Sequence, residues 1–160
     1  MITKDIVKFW FDYSEGELYW KRKPSPKIKV GERAGCINSI GYRQVVINKK
    51  QYYEHRLIFL MKKGFMPRYI DHKDGNPLNN KIENLRACTD SQNQYNKKIS
   101  NKNTSGIKGV SWCKKNKTWK AQISSKGVKY NLGYFKSIKD AERVVKNKRE
   151  ELHGEFANHG

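Results

Sequence analysis

Hydrophobic and polar positions change rhythm near the middle of this chain. Before it, short apolar clusters are broken by turns; after it, apolar residues alternate with polar ones and finally recur at helical spacing. Residues 2–11 are compatible with a helix, with Phe9 and Trp10 as packing residues. Residues 13–20 read as a turn followed by a strand, and residues 21–29, rich in Lys and Pro, as an exposed loop. Residues 41–47 and 51–53 flank Asn48-Lys49-Lys50 as a hairpin. Residues 56–61 then predict a short buried helix ended near Gly64. Polar punctuation dominates residues 71–84, where Asp74-Gly75-Asn76-Pro77 is a strong turn signal. Thr89 and Gln92 stand at capping-box spacing, so a helix starts there and runs to about Lys98.

The second rhythm starts after a stretch rich in Asn, Lys and Ser. That stretch, residues 99–105, reads as a linker between a domain at 1–98 and another at 106–157. Alternation over residues 110–113, 119–123 and 128–132 predicts three antiparallel strands. From Ser137 the pattern is helical, with Ile138, Ala141, Val144, Val145, Lys148 and Leu152 on one stripe. Three strands and one amphipathic helix are close to the minimum that shares a core, and the helix leaves one sheet face open. The fold class is α+β, in two small domains.

Charge changes the picture from fold to partner. The formal net charge is +19, from 34 Lys and Arg against 15 Asp and Glu. Between Ser91 and Lys139 there is no acidic residue, while Lys occurs 12 times. Such a one-sided stretch points to a polyanionic partner. Four Trp, nine Tyr and six Phe argue for packed structure rather than a polycationic tail. No apolar run is long enough to span a membrane, and Lys4, Asp5 and Lys8 interrupt the place of a signal-peptide core. A cytoplasmic location is expected, with the chain a monomer or weak dimer. Cys36, Cys88 and Cys113 are isolated and odd in number, which fits reduced thiols and excludes a zinc knuckle.

Candidate chemistry lies in the polar block: Asp71-His72, Asn84 and Asn93. On an extended segment, adjacent side chains point in different directions. Asp71 can therefore hold a hard divalent cation while His72 faces a water. Phosphodiester hydrolysis needs an activated nucleophile, charge neutralisation on the phosphorane and a stabilised 3′-oxygen. A histidine of near-neutral pKa supplies the first. Asn84 is expected to fix the imidazole by a hydrogen bond, and Asn93 to complete the metal site from the following helix.

Tyr53-Glu54-His55-Arg56-Leu57, Ile70-Asp71-His72-Lys73-Asp74-Gly75-Asn76-Pro77 and Ile82-Glu83-Asn84-Leu85-Arg86, followed by Thr89 and Asn93, resemble the HNH homing endonucleases of the His-Me finger (ββα-metal) superfamily. The similarity covers roughly residues 18–98. It implies that Asp71 binds metal, that His72 is the general base and that Asn84 orients it. Asn93 stands where the last motif residue of the family is His or Asn. As Asn it suits Mg²⁺ or Mn²⁺ better than zinc. Members of this type nick or cut duplex DNA, often near intron insertion sites. For His55 a structural role, and for Arg56 a phosphate contact, are the expectations; His153 and His159 are expected at the surface.

The second half resembles another family. Ser105-Gly106-Ile107-Lys108-Gly109-Val110-Ser111-Trp112, Trp119-Lys120-Ala121-Gln122-Ile123, Tyr130-Asn131-Leu132-Gly133-Tyr134-Phe135 and Asp140-Ala141 are similar to the AP2 DNA-binding domain. That resemblance covers residues 103–157 and implies a three-stranded sheet laid in the major groove with the helix behind. By parity Val110, Trp112, Ala121, Ile123, Tyr130 and Leu132 face inward. Lys108, Ser111, Cys113, Lys120, Gln122, Ser124, Lys129 and Asn131 are the expected DNA contacts. Lys, Ser and Cys stand where plant members carry Arg, so moderate specificity is expected, supplemented by DNA shape. A non-cutting DNA-binding regulator on the same scaffold is the alternative; intact Asp71, His72 and Asn84 argue against it. A structural nucleoid protein would not need the Asp-His pair.

Overall fold

In the computed structural model, which describes residues 2–160, Thr3 opens the first helix by accepting a hydrogen bond from the Ile6 amide at 3.3 Å. Helix α1 spans Lys4–Trp10. The chain passes straight from helix to strand, because Phe11 packs its ring on Trp20, with centroids 4.7 Å apart. Phe11 therefore starts β1 (Phe11–Ser14), paired antiparallel with β2 (Glu17–Trp20), and does not end the helix as the pattern predicts. Trp20 also meets Trp10 edge-on, at 6.3 Å.

Strands β3 (Cys36–Ile37), β4 (Arg43–Ile47) and β5 (Lys50–Tyr53) form a three-stranded antiparallel sheet. Asn48 and Lys49 both have positive φ, 48° and 62°, so the hairpin turns on two residues and Lys50 joins the strand. Helix α2 (Glu54–Lys63) follows at once, two residues earlier than the apolar pattern predicts, and this brings Glu54 and His55 inside. Gly64 ends it in the left-handed region, φ 83°, as expected. β6 (Tyr69–His72) and β7 (Leu85–Cys88) then pair antiparallel around the polar loop of residues 73–84. Leu18, Val45, Leu57 and Ile58 lie at the shielded centre of this half.

The chain divides into two compact units, residues 1–88 and 89–160. The second opens with α3 (Asp90–Tyr95), which carries the predicted capping box: Thr89 Oγ1 accepts from Gln92 N, and Gln92 Oε1 from Thr89 N. The end of α3 and the residues just after it are tied into this unit. Lys108 Nζ donates to the carbonyls of Tyr95 and Lys97, and Asn158 Nδ2 donates to the Asn96 carbonyl at 2.8 Å. The Tyr95 ring stacks on His153 at 3.7 Å.

The three predicted strands are present, the first with its predicted bounds and the other two longer. β8 (Val110–Cys113), β9 (Thr118–Ser125) and β10 (Val128–Phe135) lie in the order β10-β9-β8, with α4 (Ile138–His153) packed on the sheet. Val110, Ala121, Ala141 and Val145 form the small core. On α4 the buried line runs Ala141, Val145, Arg149, His153, so Arg149 takes the inward place expected of Lys148. Trp112 keeps its predicted parity but is 45 % exposed, paired edge-on with Trp119 at 4.9 Å. No helix among the described residues is long and apolar enough to cross a membrane.

Candidate active site

The β6–β7 hairpin presents Asp71 and His72 side by side, and both are buried, at 5 % and 6 % exposure. Adjacent strand positions face opposite ways, so the two side chains enter different surroundings. Asp71 lies opposite Arg86 in the register, and its Oδ2 accepts from Arg86 Nε and Nη2, each at 2.8 Å. His72 enters a cluster of rings: Tyr42 at 6.1 Å and His55 at 5.1 Å, with Tyr53 stacked on His55 at 5.5 Å. Its Nε2 lies 2.8 Å from Asn80 Oδ1.

Asn80, not Asn84, is the amide that meets the imidazole. It is 2 % exposed, and its Nδ2 donates to Glu54 Oε2 at 2.8 Å. Glu54 is fully buried, pairs with both terminal nitrogens of Arg33 and accepts from the Leu18 amide at 3.0 Å. Gly16 lets the β1–β2 turn approach this loop: with φ 87°, any Cβ there would sit 2.6 Å from Lys81 N. Asn84 has a different task. Its Nδ2 donates to Asp74 Oδ1 and the Asn79 carbonyl, and its Oδ1 accepts from Asp74 N, which cross-braces the loop. Partial burial of Asp74 opposes ionisation, but hydrogen bonds from Asn76, Asn79 and Asn84 hold its carboxyl below the usual range.

Sequence reasoning misses Asn80, Glu54, Arg33, Arg86 and Tyr42. A signal exists for Glu54 alone: an acidic residue at the head of a buried helix demands a cation from elsewhere. Asn93 lies half-buried on α3 in the second unit. The Arg56 guanidinium donates to the carbonyls of Pro67 and Arg68 and so braces the approach to β6. Among the described residues no group of three or more His, Cys, Asp or Glu gathers to hold a metal ion.

His55 answers to pH. Burial, then the neighbouring His72 and Arg56 charges, push its pKa down to about 3. Unfolded, the same ring takes a proton near pH 6.5. The unfolded chain then binds the extra proton below that pH, so stability is full above it and falls as pH drops toward 3. Urea titrations between pH 6.5 and 5 should show a loss approaching ~1.4 kcal/mol per pH unit at the lower end. His55→Gln should flatten the profile; an equally steep variant would assign the loss elsewhere.

On the second unit the register places Ser111, Lys120 and Tyr134 across one sheet face, with Gln122 beside Asn131 and Ser124 beside Lys129. Ser111, Ser124, Lys129, Asn131 and Tyr134 are exposed, and Cys113 is half-buried at the strand end. Leu132 bulges out of register and packs inward. Gln122 is partly withdrawn, with its amide oxygen buried and unbonded among the described residues. Lys108 departs from the expected set: it is tied to two carbonyls, and burial with the Arg149 charge pushes its pKa down to about 8. His153 and His159 are also not plain surface residues. His153 is 9 % exposed and meets the Ser124 carbonyl at 3.0 Å through Nε2, while His159 Nδ1 takes a hydrogen bond from Arg149.

Residues 52–95, which include the paired hairpin carrying Asp-His, its asparagine-braced loop and the capped helix after it, match the family described as HNH endonuclease. The chain thus carries an HNH endonuclease domain at these residues. It is 39 % identical over 114 residues to protein 3.8 of Escherichia phage T7, covering 68 % of this chain and 93 % of that protein. It is 35 % identical over 106 residues to an uncharacterized HNH endonuclease of Acanthamoeba polyphaga mimivirus, covering 64 % of this chain and 54 % of that protein. The chain thus spans about half the length of the mimivirus relative. No solved structure matches it.

Proposed function

We propose that this protein is a metal-dependent endonuclease that hydrolyses phosphodiester bonds in duplex DNA at a recognised site, in a phage- or intron-associated homing role. The observation that carries this reading is the buried Asp71-His72 pair, whose members enter separate environments on one strand. His72 takes a proton from the attacking water. Asp71 and, by its place in the motif, Asn93 are the residues that would hold the cation. One carboxylate and one amide leave most of a coordination shell to water, which fits Mg²⁺ or Mn²⁺ and not a structural zinc. When bound, such an ion neutralises charge on the phosphorane and stabilises the departing 3′-oxygen. Arg86 adds a fixed positive charge beside Asp71, and Asn84 keeps the loop in shape. Strand mapping on phage and genomic DNA tests this. Breaks at preferred sites are expected with Mg²⁺ and none with EDTA; equal cutting in both would reject the metal reading.

The AP2-like part of the proposal rests on the open face of the β8–β10 sheet. Ser111, Cys113, Lys120, Gln122, Ser124, Lys129 and Asn131 would meet DNA there, with Tyr134 as an addition from the register. A fragment of residues 89–160 should bind duplex DNA without cutting it. Its log affinity should fall with log salt at a slope of about 3 to 6, one counterion per neutralised phosphate. It should also melt well above a fragment of residues 100–160, which lacks the Tyr95, Asn96 and Lys97 contacts. Fluorescence anisotropy and thermal melts measure both. No duplex affinity at about 50 mM salt would remove the sheet from recognition.

A further inference from the structure

We propose that the buried row Arg33–Glu54–Asn80 sets the tautomer of His72, fixing the ring proton on Nε2 and leaving the lone pair on Nδ1 to accept the proton of the attacking water. The inference deepens the assignment of His72 as general base and rests on it.

Glu54 anchors the row. Its two oxygens receive four donors: Arg33 Nη1 and the Leu18 amide on Oε1, and Arg33 Nη2 and Asn80 Nδ2 on Oε2. A carboxylate so used can only accept, so the end of the Asn80 amide that faces it at 2.8 Å must be the NH₂ group. The other end, Oδ1, then faces His72 Nε2 at 2.8 Å. An amide oxygen can only accept, so Nε2 must carry hydrogen. In the neutral ring that leaves Nδ1 bare.

The opposite tautomer would set two lone pairs against each other at that distance. Turning the amide to relieve this would set Oδ1 against the Glu54 carboxylate. Glu54 is fully buried and Asn80 2 % exposed, so water cannot rescue either arrangement. Arg33 closes the row from the far side, and its Nε also meets Glu17 at 3.1 Å, which holds the guanidinium in place. In the reaction the water proton passes to Nδ1 as the water oxygen bonds to phosphorus. The P–O3′ bond breaks with its electron pair on O3′, which takes a proton from solvent. A base whose lone pair wandered between the two nitrogens would be correctly set for only part of the time. Asn80 and Glu54 are thus positioning residues.

Nitrogen-15 NMR of the full-length protein with labelled histidine tests this at a pH where the ring is neutral. The chain has four histidines, and the His72 signals are assigned by their loss in His72→Ala. His72 is expected with hydrogen on Nε2 and a bare Nδ1. Asn80→Ala should mix the tautomers and lower kcat about 10- to 100-fold with KM within about twofold, the scale of losing a partner that orients a functional histidine. A wild-type ring carrying hydrogen on Nδ1, or a mixture, overturns the proposal even if no variant folds. So does Asn80→Ala with the tautomer unchanged. The spectrum needs neither DNA nor metal, so a failure of the base assignment is read separately, as unimpaired cleavage by His72→Ala.

Discussion

Replacing His72 by alanine should lower DNA cleavage by about 10²- to 10⁴-fold, the usual contribution of a positioned general base. DNA affinity should stay within about twofold of the parent, because a side chain 6 % exposed presents little surface to a ligand. The neighbouring ring cannot stand in for it. His55 lies 5.1 Å away, but burial pushes its pKa to about 3, too low for an effective base near neutrality. Single-turnover cleavage with saturating enzyme isolates the chemical step, and a thermal melt checks that the ring cluster survives. Unimpaired turnover would remove His72 from the mechanism.

Glu54→Ala should destabilise the first unit by about 3–5 kcal/mol, the cost of breaking a buried pair from one side. Three donors lose their acceptor together: Arg33, the Asn80 amide and the Leu18 amide. The Arg33 side chain is 23 % exposed and can recruit some water, which favours the lower end of that range. Replacing both partners, Arg33→Met with Glu54→Leu, should recover part of the loss, since no buried charge is then left unpaired, although the Asn80 and Leu18 donors still lack their acceptor. Urea unfolding of the three variants measures it. A Glu54→Ala change of under about 1 kcal/mol would mean that the row contributes little to the fold.

The Asp71-His72 pair, the capping box at Thr89 and the alternation of the second half were legible because each depends on residues close in sequence. The choice between Asn80 and Asn84 was not. Both lie in one irregular loop, and which amide meets the imidazole depends on how Asp74, Asn76 and Asn79 fold that loop. Glu54 stands two residues before the predicted helix, and its cation partner, Arg33, lies 21 residues earlier, outside any local period. Arg149 and His153 continue the four-residue spacing of Ala141 and Val145, so their positions were readable. Their chemistry argued for solvent, and partners distant in sequence, among them the carbonyls of Lys108 and Ser124 and the Tyr95 ring, accompany their burial. Trp112 shows the converse: its parity was correct, yet parity says nothing about where the covering helix ends.

The four tryptophans fall two to a unit, Trp10 with Trp20 and Trp112 with Trp119. The first pair includes a ring only 4 % exposed, the second a ring 45 % exposed, so their emission differs in colour as well as in origin. The unlabelled chain therefore carries a separate optical reporter in each half. Substituting one pair with phenylalanine silences that half alone, which lets the unfolding of the other be followed by itself.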